Sequence, residues 1–299
     1  MRSECTGEVR KERVMKKVMK KVMKKNISRL LLVSILVVTL TGCGSKSADS
    51  SGKGKVLRVG VECAYAPFNW VQSDDENDAI KTTTNDYANG YDIMYAKKIA
   101  SELGYTLEIH KIEWDSLIME LQSGNIDVVI SGMCPTSERK QSVDFTDPYY
   151  FADFVVMTRS DSKYADITSI ADLSGAKMTS QMNTTWYDVL TQVKGADVQP
   201  AMETLPASLV ALDSKKVDAI VVDKPSALSA IKSNPDLKMI EFGDGKGFDV
   251  SDEEIDLAIA VAKGNTELKD SINKVIAGVS DKDREDMMNK AIKIQPLSE

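Results

Sequence analysis

An α/β architecture with doubly wound sheets is the fold class the sequence predicts, and three observations predict it. Short apolar runs of strand type alternate with helices that are apolar on one face. The chain has 299 residues of which 42% are apolar, more than one small domain needs to fill its core. One helix-to-strand joint also weakly echoes itself: residues 121–130 (LQSGNIDVVI) resemble residues 212–221 (LDSKKVDAIV), as two related lobes would naturally produce, chance similarity of two such joints being the alternative.

Val56 to Val61 reads as the first strand. Tyr91 to Leu103 reads as a helix with Ile93, Ala96, Ala100 and Leu103 on one face and Gly104 as its stop. Asp115 is placed to cap a helix carrying Leu117 and Leu121 that ends at Gly124. Ile126 to Ile130 then forms a continuous apolar run, the mark of a strand covered on both faces. Lys177 to Ser180 and Val217 to Val222 are strands expected in the second lobe. Ile255 to Val261 is a further strand, and Leu268, Ile272, Val275, Ile276 and Val279 line a final amphipathic helix. Ser73 to Asn89 is polar and acidic and reads as an exposed loop. Its alternating Asp74, Glu76 and Asp78 lack the glycine and distal glutamate of a calcium loop. Gly243 to Gly247 lacks the spacing of a phosphate-binding loop and reads as a turn.

Charge divides the chain in two. The first 42 residues hold 11 Lys/Arg against 3 Asp/Glu, leaving 27 against 42 for the rest. An acidic body argues against nucleic acid as a partner, because that would demand a basic face. One histidine, His110, excludes sites built on two imidazoles, and four cysteines without a CxxC pair disfavour structural zinc. No cofactor is expected. The basic start carries a repeated Val-Met-Lys-Lys unit from Val14 to Lys25, followed by an uncharged segment from Leu30 to Gly42 that is too short to span a bilayer. Residues 1–42 therefore read as an export signal, with the true start expected at Met15, Met19 or Met23. Leu40-Thr41-Gly42-Cys43 looks like a bacterial lipobox, in which the cysteine becomes diacylated and the mature chain begins at Cys43. Residues 43–55, rich in Ser, Gly and Lys, read as a flexible tether. Export permits a disulfide between Cys63 and Cys134, which both fall at carboxyl ends of strands expected to be neighbours.

Two charged residues stand out on physical grounds. Thr136 is a plausible N-cap, so Arg139 falls in the first turn of a helix, where a cation opposes the dipole. A guanidinium fork beside exposed helix-start N–H groups is a good carboxylate receptor; the plainer reading is an ion pair with Glu138, Asp144 or Asp147. Asp223 follows a buried strand, and open α/β sheets place ligands at the carboxyl ends of strands. Its plainer reading is a chain-turning aspartate.

The stretches VGVECAYAPFNW (59–70), GYDIMYAKKIASELG (90–104), WDSLIMELQSGNIDVVISGM (114–133), PTSERKQSVDFTDPYY (135–150) and DSKKVDAIVVDKP (213–225), in this order and spacing, resemble the bacterial extracellular solute-binding proteins, family 3, that feed polar amino acid ABC transporters. The likeness covers nearly all of residues 56–295. It implies a two-lobed periplasmic-binding-protein-like fold of type II, with lobe 1 from 56–151 and 244–299 and lobe 2 from 152–243. It implies that Arg139 clamps an amino acid's α-carboxylate and that Asp223 pairs with its α-ammonium, assisted by the carbonyl of Gly132. Cys134 stands where relatives carry Ser or Thr, which exchanges a hydroxyl for a weak thiol. Thr184 and Thr185 match residues that cap a helix and touch the carboxylate, although Asn183 replaces a glycine there. Tyr65, Phe68 and Trp114 match aromatic wall positions, with core packing as the alternative for each. Glu62 matches a carboxylate found in relatives that accept basic or amide side chains, so arginine, lysine, histidine or glutamine is the expected ligand. A solvated strand-end charge is its plainer reading.

The resemblance implies capture by lobe closure without chemistry, at the outer face of a cell membrane. The expected partners are a free amino acid, an ABC permease with its ATPase, and the membrane itself through the lipid on Cys43, with the protein a monomer. Two other readings stay open. A cyclohexadienyl dehydratase-like enzyme on the same fold would use Glu62, Glu113 or Asp223 as a general acid. A solute sensor would use the same capture without a transporter.

Overall fold

The computed structural model describes residues 54–296. The export signal, Cys43 and all but the last two residues of the tether lie outside the described residues. No helix among the described residues is long and apolar enough to cross a membrane. In chain order the strands are β1 (Val56–Val61), β2 (Ala64–Tyr65), β3 (Asn69–Gln72), β4 (Ile80–Lys81), β5 (Tyr87–Asn89), β6 (Thr106–Lys111), β7 (Val128–Val129), β8 (Val143–Phe151), β9 (Phe154–Arg159), β10 (Lys177–Thr179), β11 (Asp197–Val198), β12 (Ala219–Asp223), β13 (Leu237–Ile240) and β14 (Asp256–Ala262).

Two five-stranded sheets share one plan. The first has the order β6-β1-β7-β14-β8 and the second β11-β10-β12-β9-β13. In each, the second strand runs parallel to the first and third, and the last two pairings are antiparallel. The two predicted joints build this plan with the same bonds. Asp127 accepts from the Arg58 N–H of β1 and Asp218 from the Lys177 N–H of β10, both at 2.9 Å. Gly124 and Lys215 both adopt left-handed φ, +76° and +60°, where the helix turns into the strand. The shared register makes residues 62 and 181 equivalents, each four positions beyond its lobe's paired residue.

Helix Tyr91–Leu103 forms over the predicted span, with Ile93, Ala96, Ile99 and Ala100 buried and Gly104 ending it in the left-handed region. Helix Thr266–Ala277 buries Ile272, Val275 and Ile276 as expected. Three expectations are corrected. Asp115 caps nothing: it lies in a 3-10 turn, Trp114–Ser116, and the helix starts only at Leu117. Ser73 to Asn89 is not all loop, because β4 and β5 join β2 and β3 in a small antiparallel sheet anchored by the fully buried Ala88. A helix at Asp281–Ile294 went unpredicted because it buries only Met288 and Ala291, although its Ser280–Asp283 capping box is a visible start signal.

Candidate functional site

Glu62 and Gln181, the two equivalents, meet where the sheets face each other. Gln181 Nε2 donates to Glu62 Oε1 at 2.8 Å, and both side chains are buried. Burial, opposed by that bond and reinforced by Glu113 and Asp115, pushes the Glu62 carboxyl up to about 7. Around this pair a single pocket collects Tyr65, Trp114, Gly132, Cys134, Arg139, Thr184 and Thr185, all predicted, together with Ser131, Trp186 and Glu254, which were not. The lining groups leave about 20 Å³ between them, room for about one water.

The N-cap of the one-turn helix Arg139–Ser142 is Glu138 rather than the expected Thr136, although the Thr136 hydroxyl accepts from the Arg139 N–H at 3.3 Å. The guanidinium reaches inward. It donates to the Cys134 carbonyl at 3.0 Å and the Asn183 carbonyl at 2.7 Å, and lies 5.1 Å from the centre of the Trp114 ring. Among the described residues these bonds run to carbonyls, and Asp144 pairs with Lys263 instead. Burial lowers the Arg139 pKa, so the site holds an arginine whose charge is incompletely compensated.

Asn183 has φ of +55°, the backbone shape a glycine would supply, so the loop that delivers Thr184 keeps its expected form. Thr184 occupies the N-cap position of the short helix Thr185–Asp188, but its hydroxyl donates back to the Gln181 carbonyl at 2.7 Å. Trp114 Nε1 also donates to the Asn183 carbonyl, at 3.2 Å, and Asn183 Nδ2 donates to Asp115.

Tyr65 packs its ring against Gly132, whose φ of +60° and missing side chain allow the approach; a Cβ there would stand 2.2 Å from Tyr65 Cε1. The Tyr65 hydroxyl donates to Asp223 Oδ2 at 2.7 Å. Asp223 is fully buried behind that phenol and does not line the pocket, and its other oxygen caps the next helix by accepting from the Ser226 N–H. Desolvation raises its pKa. Phe68 is likewise placed behind the wall, stacked on Tyr65 with centroids 4.6 Å apart and fully buried. Of the three carboxylates offered as alternative general acids for a dehydratase, Glu62 lines the pocket and Glu113 and Asp223 do not.

The structure has Cys63 and Cys134 as free thiols, and the expected bridge is not formed. The Cys134 sulfur is turned to the Glu254 carbonyl at 3.1 Å and the Thr185 hydroxyl at 3.8 Å. Burial pushes the two thiols up to about 11 and about 12, which leaves neither reactive. Gln181 and Trp186 were missed because neither residue type announces a ligand. The register of the repeated joint, which sets Gln181 opposite Glu62, was the signal available.

A model described as bacterial extracellular solute-binding proteins, family 3, matches residues 57–291. Among curated proteins, the arginine-binding extracellular protein ArtP of Bacillus subtilis is 31% identical over 84% of this chain and 91% of its own length. The L-cystine-binding protein TcyJ of Escherichia coli is 29% identical over 84% of this chain and 90% of its own. Among solved structures, an ancestral arginine-binding protein bound to arginine superposes with a TM-score of 0.64 at 35% identity, covering 79% of this chain and 97% of that one.

Proposed function

This chain belongs to the bacterial extracellular solute-binding proteins, family 3, and on that premise we propose that it is the binding component of an ABC importer for one free amino acid with a basic side chain. The observation that carries the reading is a guanidinium and a buried carboxylate lining one small aromatic pocket, Arg139 and Glu62, with Tyr65, Trp114 and Trp186. A zwitterion with a cationic side chain complements that set. Its α-carboxylate takes Arg139 and the N–H groups at the start of helix Thr185–Asp188, and its α-ammonium takes Asp223 and the Gly132 carbonyl. The side chain lies along the Trp114 ring toward Glu62. Arginine is preferred over lysine, histidine and glutamine because a planar fork suits a carboxylate held by an amide, and the ArtP likeness supports the same choice.

The bonds now joining the sheets are the ones a ligand replaces: Tyr65 to Asp223, Gln181 to Glu62, and Arg139 to the Asn183 carbonyl. The pocket must therefore open to admit an amino acid and close upon it, which favours the closed population. Hinging takes place where the chain passes between residues 56–151 with 244–299 and residues 152–243. The closed form is presented to a permease with its ATPase. Cys43 carries the lipid that holds a monomeric protein at the outer face of the membrane. Exchanging Cys43 for Ala should move the protein from the membrane fraction to the medium without changing ligand affinity; retention in the membrane would refute the anchor. For the pocket, ligand-stripped protein is titrated with the common amino acids by calorimetry. Saturable 1:1 binding of L-arginine is expected, and absence of heat with every basic amino acid would refute the assignment.

A further inference from the structure

Beneath the pocket lies a buried carboxylate that ligand capture does not use. Asp92 is fully buried in the first turn of helix Tyr91–Leu103, where burial pushes its carboxyl up to about 7 against the opposing pull of the bonds it accepts. Its Oδ1 accepts from the Tyr149 hydroxyl at 2.6 Å and its Oδ2 from Asn69 Nδ2 at 2.7 Å. Both contacts continue. Asn69 Oδ1 accepts from the Cys63 N–H at 2.7 Å, and the Tyr149 oxygen accepts from the Gly132 N–H at 3.0 Å. Those two N–H groups belong to left-handed turns, Cys63 at φ +62° and Gly132 at φ +60°, that end β1 and follow β7. The turns are also joined to each other, since the Glu62 N–H donates to the Ser131 hydroxyl at 3.0 Å. A left-handed cysteine persists only where its surroundings over-determine it.

We propose that Asp92 is a positioning residue for the pocket: through Asn69 and Tyr149 it locks the two strand-end turns that carry Glu62 and Gly132. Each partner presents a donor, so both Asp92 oxygens must accept, and an amide at this position would set its NH2 against a donor. The inference rests on the proposed function only in the choice of L-arginine as probe.

The test measures amide hydrogen exchange of the ligand-free protein, and L-arginine affinity, in Asp92→Asn. Exchange should accelerate at least tenfold in residues 60–64 and 130–134 while β10 and β12 keep wild-type rates, and Kd should rise at least tenfold. The swap Asp92→Asn with Asn69→Asp reverses the amide and carboxylate while leaving every donor an acceptor, so it should restore both. Should the single variant fail to fold, Tyr149→Phe cuts one branch and should release residues 130–134 alone. Wild-type exchange at the turns, or an L-arginine Kd within twofold of wild type, overturns the inference. If wild-type protein does not bind L-arginine while the exchange pattern holds, the amino acid assignment fails and the positioning role stands.

Discussion

Arg139 earns its place in the site from two features visible before any coordinates: a cation where the helix dipole opposes one, and a fork suited to a carboxylate. Its loss should be severe. Arg139→Ala should weaken L-arginine binding by about 2 kcal/mol or more, roughly thirtyfold, because a charge-assisted pair is lost from a dry site; calorimetry showing unchanged affinity would count against the clamp. Glu62 predicts a pH profile. Its carboxyl, raised to about 7, keeps its proton below that pH in the ligand-free protein. A guanidinium needs the ionised form, so binding expels the proton and L-arginine affinity should fall as pH drops below 7, approaching tenfold per unit. L-glutamine affinity should stay flat, and Glu62→Gln should erase the slope. Without ligand, the raised value means that stability falls as pH rises from about 4.5 to about 7, since the folded state holds the proton longer. The same reasoning shows where single residues were unreadable. Phe68 and Asp223 were expected at the ligand, but only the tertiary packing of Tyr65 decides that both sit behind the wall.

At the scale of elements, legibility followed burial on a periodic face. Val56 to Val61 and Tyr91 to Leu103 were readable because apolar spacing matched the element. β8 was not, because it buries every third residue, Val143, Thr146 and Tyr149, across a proline rather than alternate ones, and takes its register only from β14. The repeated joint was the most informative signal, and it yields a paired prediction. Gly124 and Lys215 hold the same left-handed position in the two lobes, and at Gly124 an added Cβ meets no neighbour. Gly124→Ala should therefore destabilise by about 1 kcal/mol through backbone strain, and Lys215→Gly should stabilise by up to a similar amount, less whatever the exposed Lys215–Asp161 ion pair contributes. Urea unfolding measures both; effects of the same sign would show that the joints are not equivalent.

For the whole molecule, the two sheets are worth joining only if something between them repays closure. The described side chains already bond across the gap, so ligand exchanges one set of contacts for a better one and stabilises by mass action, about 2.7 kcal/mol at a hundredfold excess over Kd. Stability gained on closure is thus the molecular form of the affinity. The most direct measurement is a calorimetric comparison of L-arginine with agmatine, the same side chain and amine without the α-carboxylate, on ligand-stripped protein. L-arginine should bind at 1:1 and agmatine at least thirtyfold more weakly, a difference that shrinks in Arg139→Ala. Equal binding of the two would mean that no carboxylate is held by the guanidinium, and the account of the pocket would be wrong.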